Sequence, residues 1–183
     1  MDLFEMRDGV VYPSLHALLI EPFKGIWAAD TTEGKFRTLR KFRYVELLCS
    51  PKKSNVFYNY SEEVRPEKVK VEVFNDKDYV LGDDVMQMTI KYKELLSSTS
   101  PYYEELLVSE QALAKIKTFL KNFNMDSRTN SGGLVLKPKE ALSAIAELPE
   151  ARDSVERIRA KVVADLKEET KTRNSREVGF FER

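Results

Sequence analysis

Apolar residues return at helical spacing along most of this chain, and proline, glycine and serine cut that pattern into separate lengths. The longest clean run goes from Tyr102 to about Asn124, with Leu106, Leu107, Leu113, Ile116, Phe119, Leu120 and Phe123 on one face. Ser100-Pro101 separates it from a run opened by Gly82-Asp83, in which Asp83 or Asp84 caps and Val85, Met88, Tyr92, Leu95 and Leu96 form the stripe. The short link predicts that these two helices are antiparallel neighbours. Met86 and Met88 read as adaptable core fillers. Pro138 opens a further helix with Ala141, Leu142 and Ile145 inward, and Pro149 starts or kinks its continuation. From Ala151 the stripe runs through Val155, Ile158, Val162 and Leu166, spanning only about two heptads, so a packing helix whose far end projects from the body is expected. Such a pattern folds into an all-α domain, mainly a helical bundle, with a small N-terminal β-hairpin and extended terminal arms. We place a single helical domain at 1–170, its arm or hairpin at about 1–13, and a polar tail at 171–183.

The first half carries the densest aromatic content. Arg7-Asp8-Gly9 is a turn signal between two short apolar pieces, Leu3 to Met6 and Val10 to Tyr12, which predicts the hairpin. Ser14 can cap a short helix bearing Leu15, Leu18 and Leu19. His16 lies within it as a lone imidazole, with no second histidine to make a metal or base site. Pro22 suits the first turn of the next helix, where Phe23, Ile26 and Trp27 share a side. Asp30-Thr31-Thr32 is a break with a capping residue, and a helix from about Glu33 to Cys49 follows, with Phe36, Leu39, Phe42, Val45 and Leu48 at every third position. Phe23, Ile26, Trp27, Phe36, Leu39 and Phe42 are the expected core anchors. The stretch from Pro66 to Phe74 reads as strand or helix, and its Pro-Glu opening favours helix.

At 183 residues, a single core can bury roughly 70% of the unfolded surface. Thirty basic and thirty acidic residues give a formal net charge of zero, which argues against coating nucleic acid through overall charge and permits self-assembly. The single cysteine, Cys49, excludes an intramolecular disulfide and a thiolate zinc site, and reads as a buried structural thiol. The N-terminus lacks a signal-peptide pattern and no apolar run approaches a membrane span, so a soluble protein with no membrane contact is expected.

No nucleophile elbow, dinucleotide-binding glycine pattern, phosphate loop or metal-ligand spacing is found, and Ser131-Gly132-Gly133 lacks the lysine of a nucleotide loop. The expectation is a non-enzyme with no catalytic residue, cofactor or metal. The candidate partner contacts are Arg37, Arg40, Lys41 and Arg43, whose cations suit a solvated face, phosphates or an acidic partner. Phe180 and Phe181 at the end of the polar tail suit a hydrophobic hook.

Several scattered motifs point further. Glu21-Pro22-Phe23-Lys24 with Ile26, then Asp30, then Lys35 leading into the helix through Tyr44, and Ser50-Pro51 form the first group. Tyr60-Ser61-Glu62-Glu63-Val64-Arg65, the Tyr92 helix, and Thr129 to Pro138 form the second. In this order the chain resembles a virion structural protein family of crAss-like and related tailed bacteriophages of Bacteroidetes hosts, of the type that forms rings at the head-to-tail joint. The resemblance implies a virion protein assembled in the host cytoplasm, a ring or adaptor beneath the portal. Its partners would be copies of itself with twelvefold symmetry, the portal, neighbouring tail or ring proteins, and DNA in the channel. It carries over no catalytic residue. The alternatives are a phage-encoded nucleic-acid-binding protein or a host-directed interaction module.

Overall fold

A computed structural model describes residues 3–7, 9–123 and 138–178, with side chains of the last helix from 139 to 169. Two strands, β1 (Phe4–Arg7) and β2 (Val10–Pro13), pair antiparallel with Phe4 opposite Pro13 and Arg7 opposite Val10. Gly9 takes φ 77° at the turn, where a Cβ would be strained. Six helices follow: α1 (Phe23–Ala29), α2 (Phe36–Cys49), α3 (Arg65–Phe74), α4 (Asp83–Thr99), α5 (Tyr102–Asn122) and α6 (Pro138–Val178). The expected helical bundle with its N-terminal hairpin is therefore what forms, and the Pro66 to Phe74 stretch is helix.

The hairpin packs on α2, and α2 also meets α3 and α4. Leu3, Phe4 and Val11 are buried, so the inner side of the hairpin belongs to the core. Phe4 touches Phe23 edge-on at 5.7 Å between ring centres, Phe42 at 5.2 Å and Tyr92 at 5.6 Å, and Trp27 stacks on Phe42 at 6.1 Å. Phe23 and Phe42 are fully buried, Leu39 is buried, and Ile26 and Trp27 pack half-buried against the same cluster. Phe36 is a correction: it is 62% exposed and is not a core anchor. A recurrence of three against 3.6 residues per turn rotates about 60° at each step, which puts Phe36 about 120° around α2 from Phe42.

The same drift divides α5. Leu106 and Leu113 are buried, whereas Ile116 is 44% and Phe119 52% exposed, so the expected single face is two. α5 packs mainly against α6, with a smaller contact to α4. α6 runs unbroken through Pro149 and continues into the stretch read as polar tail. Its 41 residues span about 60 Å. Ala141, Val155, Val162 and Leu166 are buried, but Leu142 and Ile145, expected inward, are exposed. Leu15 and Leu19 also face outward around a short 3-10 turn at Ala17–Leu19, where the Ser14 hydroxyl accepts the Ala17 N–H at 3.2 Å. At α4 the cap position is Gly82, so Asp83 and Asp84 stand in the first turn instead.

Candidate functional site

The cations of α2 are positioned by how the helix begins. Gly34 and Lys35 both take left-handed backbone, φ 60° and 56°, which turns the chain into Phe36. Asp30 secures that entry: its Oδ1 accepts from the Thr32 hydroxyl at 2.6 Å and the Thr32 N–H at 2.9 Å, and its Oδ2 accepts the Thr38 N–H at 2.8 Å. Thr38 lies in the first turn, so the carboxylate satisfies an otherwise orphan helix donor. The Thr32 hydroxyl, with these N–H groups, holds the Asp30 carboxyl far below the usual carboxylate range.

Arg40 donates from Nε and Nη2 to the Val73 carbonyl at 3.2 and 2.9 Å and lies between the rings of Phe36 and Phe74. Lys41 pairs with Asp84 on α4, and Arg43 reaches Glu72 on α3 at 3.3 Å. Among the described residues, Arg37 alone of the four makes neither an ion pair nor a side-chain hydrogen bond, and it is exposed. Three of the four candidate contacts thus join α2 to its neighbours. Phe180 and Phe181 lie outside the described residues.

A second charged cluster sits deeper and was not anticipated. Arg65 at the start of α3 is 9% exposed and donates to the carbonyls of Leu48, Tyr58 and Tyr60 at 2.8 to 3.2 Å, tying down the connection between α2 and α3. Arg159 on α6 is 5% exposed, pairs with Glu110 on α5 and Glu156 on its own helix, and places its guanidinium 4.7 Å from the centre of the Tyr58 ring. Among the described residues, the Arg159 Nε has no hydrogen-bond partner. Nearby, Lys93 and then Gln111 hydrogen-bond Glu62 and lower its pKa. The legible signal was a cation on an apolar seam: Arg159 falls at i+4 from Val155 and i−3 from Val162.

These groups border a cavity of about 140 Å³ that also touches Cys49, Tyr103 and Leu106. Burial pushes the Cys49 thiol up to about 12 and raises the Tyr103 phenol, so both are neutral near pH 7. A neutral buried thiol is a poor nucleophile, and the carboxylates here are paired with cations. The arrangement holds elements together. Among the described residues, no helix is long and apolar enough to cross a membrane. The chain matches no protein-family model, no curated protein and no solved structure.

Proposed function

We propose that this chain is a non-enzymatic structural component of a tailed-phage virion, a ring or adaptor protein at the head-to-tail connector. The observation that carries the reading is where the residues of the resemblance fall. Phe23 is fully buried, Asp30 caps α2, Ser50 is buried at the end of α2, and Arg65 gathers three carbonyls. Tyr92 is buried and donates its hydroxyl to Glu46 at 2.7 Å. The residues that carry the resemblance are thus packing and capping positions, as suits a scaffold role rather than a chemical one. The internal pairing of Lys41 and Arg43 favours this over a nucleic-acid-binding role.

Imaging purified particles with this chain labelled tests the proposal, and density at the portal-proximal neck is the expected result. Deletion from Lys171 onward removes only residues beyond Leu166, the last buried residue described on α6, so the helical fold should survive while particles fail to complete their tails. Infectious particles from that deletion would remove the tail from the assembly role. Absence of the chain from particles, with steeply salt-dependent binding to duplex DNA, would move the function to the nucleic-acid class.

A further inference from the structure

α5 carries a second apolar stripe that the fold leaves uncovered. Val108, Ala112, Ile116 and Phe119 follow at i, i+4, i+8 and i+11, and all four are exposed, Val108 at 65% and Phe119 at 52%. They lie on a different side of α5 from Leu106 and Leu113, which face the core. Phe123 extends the stripe, its ring 5.7 Å from that of Phe119. A surface helix normally buries one apolar stripe, so the second one is surplus to this fold.

The charge along α5 says what fits there. Its first turn holds Glu104 and Glu105, and its C-terminal half holds Lys115, Lys117 and Lys121. Glu105 lies one turn before the stripe begins at Val108, and Lys115 flanks its C-terminal half. A copy of the same helix laid antiparallel therefore meets opposite charge at both ends, whereas a parallel copy meets like charge. Ala112, midway along the stripe, is its smallest residue and lets two backbones approach at the crossing.

We infer that this face of α5 is a self-association surface on which α5 of a second copy lies antiparallel, crossing at Ala112, with Val108 of each copy beside Ile116 of the other. The inference stands apart from the virion reading, because a two-fold contact closes on two copies and cannot by itself generate a ring. A chain that dimerises this way but is absent from particles keeps the inference and removes that reading. A chain that stays monomeric in isolation yet is located at the neck of the particle does the reverse.

The test is a charge swap on the full-length chain, followed by sedimentation equilibrium. The wild type should show a monomer–dimer equilibrium within roughly 1–500 µM. Glu105→Lys and Lys115→Glu, both at exposed positions, should keep the wild-type melting temperature and each weaken the dimer about tenfold or more. Mixed in equal amounts they should recover wild-type affinity, because the mixed pair restores both contacts. Ala112→Cys should cross-link two copies on mild oxidation, while buried Cys49 stays reduced. A wild type that remains monomeric overturns the inference. So do single variants that associate as the wild type does, a mixture no tighter than its components, or no cross-link at position 112.

Discussion

Asp30 shows how much one side chain does at the entry to α2. Its carboxylate accepts three hydrogen bonds that favour the charged form, so its folded pKa lies below the ordinary 3.8. A depressed folded pKa contributes stability above the unfolded value and loses it as pH falls through the folded one. Asp30→Ala should therefore cost about 1 kcal/mol at pH 7. The wild-type advantage should shrink steadily below pH 3.8, as urea denaturation across a pH series would show. The capping role was legible, since Asp-Thr-Thr stands just before a helical pattern. The eight-residue reach from Asp30 to the Thr38 N–H was not, because it depends on the left-handed step at Gly34 and Lys35. Nor does a count of arginines reveal that Arg40 is spent on a carbonyl of α3.

Among the elements, the hairpin and α2 separate what periodicity can and cannot say. The turn at Gly9 was legible, yet a strand of four residues carries too little alternation to announce that Phe4 joins an aromatic cluster. Conversely, Phe36 shares the three-residue recurrence of Phe42 and ends on the surface. Phe4→Ala should lower stability by about 3–5 kcal/mol, since it empties a buried ring site. Phe36→Ala should change it by no more than about 0.5–1 kcal/mol. Thermal or denaturant melts of the two variants compare them directly, and equal losses would mean that Phe36 is also covered in solution. In α5 the same slow rotation hid two stripes within one, and only the position of α6 decides which is inner.

Across the whole molecule, net neutrality conceals a strongly organised charge distribution. Arg65, Glu110, Arg159 and Glu156 join the α2–α3 connection, α5 and α6 through one buried cluster. Removing Arg159 leaves the poorly solvated Glu110 carboxylate with only its longer, 3.8 Å pair to Arg65, so Arg159→Ala should cost about 3 kcal/mol. Adding Glu110→Gln to that variant should recover part of the loss, because the under-compensated carboxylate is gone; a double-mutant cycle in urea measures the coupling. The bundle itself was legible from apolar spacing and breaks, but this cluster was not, since its members stand 49 and 101 positions apart in the Arg159 contacts with Glu110 and Tyr58.

That separation also sets an order of events during synthesis. The Arg159 guanidinium emerges after the five earlier α-helices, so until then Arg65 is the cation that the Tyr58 carbonyl and the Glu110 carboxylate share. Closing such long loops is slow relative to forming local helix. A nascent chain lacking α6 should therefore leave the groove between α5 and the 50–64 connection open to water. α6 is thus the element that completes the buried charged cluster over α5 and the preceding connection.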